Sequence, residues 1–123
     1  MSITKESLQK LLIKRWDYSD HSASQTAGKL LDMDPELQIE LKYFLKTDNF
    51  SNSYQLFGMT FNDIANAYPF KPPAVFLFFD WVKRDPMNAL DAAVEEYHKP
   101  LPKSFNSQAL KAYMSQEKKL SVD

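Results

Sequence analysis

The sequence predicts an all-α protein, a compact bundle of roughly five to seven short helices in which residues 1–123 form a single domain. The chain has only two glycines, Gly28 and Gly58, so few tight hairpin turns are available to it. Apolar residues recur every three or four positions in most segments, which is the period of a helix. A chain of 123 residues is also long enough to bury one hydrophobic core without a metal or a disulfide.

The most apolar segment, about residues 73–84, is predicted to be the central helix of this bundle. With successive side chains about 100° apart, its apolar residues cover a wide arc and leave a narrow polar strip on which Asp80 lies beside Phe76. A buried strand is the alternative, but the apolar residues do not alternate and prolines bound the segment at ends that suit a helix. This phase predicts that Trp81 lies in the core and that Phe76 faces outward.

Start and stop signals place the other helices. Asp34-Pro35 and Asp85-Pro86 each combine a capping side chain with proline at the first helical position, and Thr60 and Asp63 match a capping box. The predicted ranges are about 5–16, 22–31 (opened by a box at Ser22 and Gln25), 35–46, 60–68, 86–97 and 107–119. Residues 47–59 are predicted to be mostly loop, and residues 98–106 a proline-stiffened link.

Charge and cysteine content exclude several classes of protein. A net charge of −1 and a pI near 6.1 give no overall attraction to nucleic acid or to an anionic membrane. The absence of cysteine excludes disulfides, thiolate catalysis and cysteine-ligated metal sites. No apolar run approaches the length of a membrane span or a secretory signal, so we expect a cytoplasmic protein with no membrane contact.

The residue inventory predicts that the protein is not an enzyme and holds no cofactor or metal. It has two histidines, no glycine-rich phosphate loop and no serine in a nucleophile-elbow setting. Glu95 and His98 have the spacing of a ligand pair in di-iron bundles, but that architecture needs a second such pair and two more glutamates. The cluster of Asp17, Asp20 and His21 could hold a divalent ion, although a solvated loop that caps helix ends is the simpler interpretation.

Residues 61–84 also match the spacing of a helix-turn-helix motif. Ala65 lies where the small interhelical residue belongs, and Tyr68 and Val75 lie at apolar positions of the motif. In this alignment Phe76, Leu77 and Asp80 would face outward, and Asp80 would repel phosphate. A DNA-binding regulator is therefore the alternative function rather than the preferred one.

Aromatic residues supply the main argument for protein binding. The chain has nine Phe, six Tyr and two Trp residues, and several lie in predicted loops or on polar faces, where we expect some to be exposed. The candidate interaction residues are Phe57, Phe70, Phe76, Asp80 and Phe105.

We therefore expect a non-catalytic interaction module with a protein partner, and a homodimer as its simplest form, with Phe76 or Phe105 in the interface. Residues 85–97 hold four acids and no base, whereas residues 98–123 hold five bases and two acids. Both segments are interpreted as solvated faces, and the alternative is that they pair within one chain, or between two chains if the proline-rich link lets the last helix exchange.

Overall fold

A computed structural model confirms the all-α prediction. It describes the backbone of residues 3–121 and the side chains of residues 3–116. That part of the chain contains seven helices, and its only β-pairing is a bridge between Leu56 and Met59. The helices α1 to α7 are Lys5–Trp16, Asp20–Leu31, Pro35–Thr47, Phe61–Ala67, Pro72–Arg84, Pro86–Tyr97 and Ser107–Ser121.

Most helix starts follow the capping signals in the sequence. The Thr60 side chain accepts a hydrogen bond from the Asp63 N–H, and the Asp63 carboxylate accepts one from the Thr60 N–H, which confirms the predicted capping box. The Asp34 carboxylate accepts from the Glu36 N–H at 3.1 Å, as a capping residue should. The predicted start of α2 is wrong, because Ser19 caps this helix and accepts from the Ser22 N–H.

The aromatic face of α5 is buried in the core, and this helix packs against α2, α3, α4 and α6. Phe76 is 0% exposed, with its ring centre 4.9 Å from that of Phe61 and 5.7 Å from that of Phe44. Phe79 lies on the same face, 4.8 Å from Phe61. Such tilted ring pairs add to the free energy that burial of their area already supplies.

The predicted phase of α5 is therefore wrong by roughly a quarter turn, given about 100° per residue. Phe76, expected to face outward, is fully buried, whereas Trp81, expected in the core, is 37% exposed. The charge of Lys83 explains the error. A charged residue normally marks the outer face of a helix, but Lys83 lies at the edge of the buried face. Its long side chain is only 21% exposed and reaches the Asp34 carboxylate at 2.9 Å, so its ammonium group does not mark the outer face.

The expectation that loop aromatics are exposed is also wrong. Phe57 is buried, and the loop between α3 and α4 folds back so that Phe50 and Tyr54 pack on the core. The Tyr54 ring stacks on Phe61 at 5.1 Å, and burial of apolar area in this way offsets part of the cost of ordering a loop. Phe105, in the link before α7, is likewise partly buried against the core.

The link of residues 98–106 is fastened to the rest of the chain. The Tyr68 hydroxyl donates to the carbonyl oxygens of Lys99 and Pro100 at 3.2 and 3.1 Å. The Ser104 hydroxyl donates to Asp63 at 2.8 Å, and the Asn106 N–H donates to the Phe57 carbonyl at 2.7 Å. Exchange of α7 between chains would have to break the hydrogen bond between the Asn106 N–H and the Phe57 carbonyl.

Helix length sets one further limit. Among residues 3–121, no helix is both long enough and apolar enough to cross a membrane.

Candidate functional site

An open groove of about 960 Å³ runs beside the outward face of α5. Its apolar lining comes from α5 and the turn before it, with Phe70, Ala74, Leu77, Phe78 and Trp81. The wall formed by α6 contributes Ala92, Ala93 and Tyr97. The opposite wall is formed by the end of α2 and the start of α3, where the lining is polar. We call this feature the α5 groove.

Helical spacing aligns the apolar floor of the α5 groove. Ala74, Leu77 and Trp81 are three and four residues apart, so their side chains lie along one face of the helix. Trp81 is one of the few large apolar residues of the described chain that remain exposed. Ala92 and Ala93 keep the α6 wall low because their side chains are single methyl groups.

A hydrogen-bonded network holds the polar wall in place. The Asp80 carboxylate accepts from the Asp34 N–H and from Arg84 Nε, both at 3.2 Å. Lys83 Nζ donates to the Asp34 carboxylate at 2.9 Å, and this contact holds the pKa of Asp34 below its usual value. The network joins the start of α3 to the end of α5, so the polar wall is fixed relative to the floor of the groove.

Three charged side chains at the rim remain outside this network. Lys29 and Asp32 lie on the α2 side of the groove, and Glu96 lies on the α6 side. All three residues are exposed, and they form no ion pair with the side chains of residues 3–116. These groups are therefore available to a molecule that enters the groove.

Two of the five predicted interaction residues line the α5 groove, namely Phe70 and Asp80. Phe76 is fully buried, so it cannot touch a partner of the folded chain, and Phe57 is only 7% exposed and lies edge-on to Tyr113 at 5.3 Å. Phe105 is partly buried and lies outside the groove.

Sequence reasoning missed Trp81 and Glu96 as groove residues. The sequence analysis places Trp81 in the core. Its helical spacing from Ala74 and Leu77, together with its neighbour Asp80, is nevertheless a signal that these residues form a second, partly polar face of α5. Glu96 carries no such signal, because only the packing of α6 on α5 brings it to the rim.

The helix-turn-helix alignment fails at one of its three outward positions. Leu77 and Asp80 do lie towards the surface, in the α5 groove, but Phe76 is buried against Phe44 and Phe61. The surface beside Leu77 carries the carboxylates of Asp32 and Glu96 as well as that of Asp80, and carboxylates repel phosphate.

Residues of the two candidate metal clusters lie at helix ends. Asp17 adopts a left-handed conformation at the end of α1, and His98 does so at the end of α6. Within the described residues, no three His, Asp or Glu side chains come together in a way that could hold a metal ion.

No protein-family model, curated protein or solved structure gives a significant match to this chain. Its function is therefore inferred from the geometry and chemistry of the α5 groove.

Proposed function

We propose that this protein is a non-catalytic helical interaction module that binds an apolar helix of a protein partner in the α5 groove. The observation that carries the proposal is the exposed Trp81 on an apolar floor, in a chain that packs most of its other aromatic rings against the core. A large apolar side chain left at the surface of a groove costs solvation free energy that a partner can recover.

The shape of the groove favours a helix as the bound element. The floor follows α5 from Ala74 to Trp81, and the low α6 wall at Ala92 and Ala93 lets a third helix approach closely. Recognition of this type places residues three and four apart on the bound helix into an apolar groove. Tryptophan is among the residues that contribute most to such interfaces, because it buries much area at a small cost in rotamer entropy.

Calorimetric titration with a synthetic amphipathic helix tests this proposal. The variant Trp81→Ser should weaken binding by at least about tenfold, because the largest apolar contact is lost. Tyr43→Ser is the matched control, since Tyr43 is 47% exposed on α3 and does not line the groove. Absence of binding to the wild type, or equal weakening in the two variants, would contradict the proposal.

We also propose that the chain self-associates, with the α5 groove in the interface in place of Phe76 and Phe105. Trp81 is 37% exposed in the groove, whereas Phe76 is fully buried and Phe105 is partly buried outside it. Sedimentation velocity at tens of micromolar should show a mass above that of the monomer, and Trp81→Ser should lower it. A monomer throughout would rule out self-association while leaving binding of another protein intact.

The chemistry of the groove supports protein binding over the DNA-binding alternative. Asp32, Asp80 and Glu96 place negative charge where a phosphate backbone would lie. The cytoplasmic location expected from the sequence belongs to the same proposal.

A further inference from the structure

We infer that the helix bound in the α5 groove is basic, with lysine or arginine on the side of its apolar stripe that faces α6. This inference rests on the proposed function and specifies the chemistry of the partner. It follows from the charges at the rim of the groove and from their distribution between the two walls.

Pairing within the chain leaves an excess of negative charge at the rim. Among the lining residues, Asp34 is paired with Lys83, and Asp80 with Arg84. Among the side chains of residues 3–116, the lining groups without an ion pair are then the carboxylates of Asp32 and Glu96 and the ammonium group of Lys29. A bound helix therefore meets more unpaired negative than positive charge.

The two unpaired carboxylates lie on opposite walls. Asp32 follows the last residue of α2, and Glu96 lies in the last turn of α6. Lys29 lies on the same wall as Asp32 and offsets its charge, whereas the α6 wall carries only the Glu96 carboxylate, so the excess negative charge faces the α6 side of the bound helix.

Helix α6 strengthens the preference for cations on its side. Residues 85–97 hold four acids and no base, so no cation of α6 offsets the Glu96 carboxylate. The C-terminal end of a helix also carries a partial negative charge, and the Glu96 end of α6 is such an end. The electrostatic fields of the carboxylates and of the helix end fall off within about 10 Å at moderate salt. They therefore act on groups at the rim rather than at a distance.

A pair of synthetic peptides tests the inference directly. Both would be about fourteen residues long, long enough to span the floor of the groove, with the same Leu and Ala stripe. One carries lysine at every flanking position and the other carries glutamate. The change in Trp81 fluorescence reports binding in a Trp16→Phe background, where Trp81 is the only tryptophan.

The lysine peptide should bind at least about tenfold more tightly than the glutamate peptide, with the difference shrinking at high salt. Glu96→Lys should weaken binding of the lysine peptide about three- to tenfold and improve binding of the glutamate peptide. Glu95→Lys is the matched control, because Glu95 is the adjacent exposed acid on the same helix and does not line the groove.

The other outcomes would contradict either the basic-helix inference or the proposed function. Equal affinity for both peptides, tighter binding of the glutamate peptide, or equal effects of Glu96→Lys and Glu95→Lys would overturn the basic-helix inference. In those outcomes the proposed function stands as long as Trp81→Ser still weakens binding measured by calorimetry. Failure of both peptides to bind the wild-type protein would overturn the proposed function and the inference together.

Discussion

Among single residues, Phe76 and Trp81 show a clear contrast, because they lie on the same helix but differ in how exposed their side chains are. Phe76 is 0% exposed among three other rings of the core, whereas Trp81 is 37% exposed on the floor of the α5 groove. Phe76→Ala should lower the free energy of unfolding by about 3–5 kcal/mol, and Trp81→Ala by about half of that or less. Urea unfolding of the two variants measures this difference. Equal losses would contradict this difference in burial, and a larger loss for Trp81→Ala would restore the phase predicted from the sequence.

Gly58 is a second residue whose role depends on its position. Its φ is +83°, and a Cβ atom built there would lie 2.3 Å from the Ser104 carbonyl oxygen. Gly58→Ala should therefore cost more than about 1 kcal/mol in the free energy of unfolding, through backbone strain and the clash with main-chain atoms.

Gly28→Ala is the natural comparison for this variant. Gly28 lies within α2, and a Cβ atom there would meet only the Lys5 side chain, at 3.9 Å. Alanine should stabilise α2 by roughly 0.5–1 kcal/mol, because glycine is a poor helix former. Thermal unfolding of both variants should show shifts of opposite sign, and shifts of the same sign would contradict the geometry at one of the two sites.

At the level of elements, the seven-residue helix α4 depends on its capping box. Hydrogen bonds from the Thr60 N–H and the Ser104 hydroxyl hold the pKa of Asp63 below its usual value. Because the folded-state pKa is lowered, the carboxylate stabilises the fold above its unfolded pKa of about 3.9, and this contribution is lost as the pH falls through the folded value. Asp63→Ala should cost about 1 kcal/mol at neutral pH and less on acidification.

Chemical denaturation from neutral pH down to about pH 2 measures that dependence. Asp91→Ala, at an exposed position of α6, serves as the control for removal of a carboxylate. The difference in the free energy of unfolding between Asp63→Ala and the wild type should change with pH. If it stays constant, the ionised carboxylate does not contribute through the capping box.

The link before α7 depends on the Tyr68 hydroxyl, which donates to the carbonyl oxygens of Lys99 and Pro100. Tyr68→Phe should destabilise the fold by about 0.5–1.5 kcal/mol, because those carbonyls lose a donor without any change in ring packing. Tyr43→Phe removes the hydroxyl of an exposed ring and should have no measurable effect. An equally small effect in both variants would mean that the hydroxyl does not fasten the link.

At the scale of the whole molecule, α7 is joined to the bundle through its first turns. Leu110 is 7% exposed, the Tyr113 hydroxyl donates to the Lys83 carbonyl at 2.7 Å, and the Tyr113 ring meets Phe57. Deletion of residues 107–123 should lower the free energy of unfolding by roughly 3 kcal/mol or more, since a buried leucine and a partly buried hydrogen bond are lost.

Circular dichroism and urea unfolding would follow this deletion. The helices before α7 should remain, and the groove-lining residues should still bind an amphipathic peptide, because none of them belongs to α7. Complete loss of helical structure would instead make α7 an essential part of the core.

The sequence by itself determined the fold class and most of the helix ends. The Asp34 cap, the box at Thr60 and Asp63 and the proline at the first position of α6 act within a few residues, so local rules predict the starts of α3, α4 and α6. The Asp85 side chain, however, does not cap α6 as predicted. The start of α2 was missed because two serines, Ser19 and Ser22, offer competing caps, and the choice between them depends on how α1 ends.

Only the tertiary structure decided which face of α5 is buried. The pattern of the segment has a clear direction, but it counts Lys83 as outward, whereas the neighbouring helices and the Asp34 carboxylate hold that side chain on the buried side. Those neighbours cover Phe76 and leave Trp81 open, and they bring Asp32 and Glu96, 64 positions apart in the sequence, to opposite walls of one groove. The candidate site was therefore only partly predictable, because Phe70 and Asp80 lie in or next to α5 whereas its rim charges come from helices that only folding brings together.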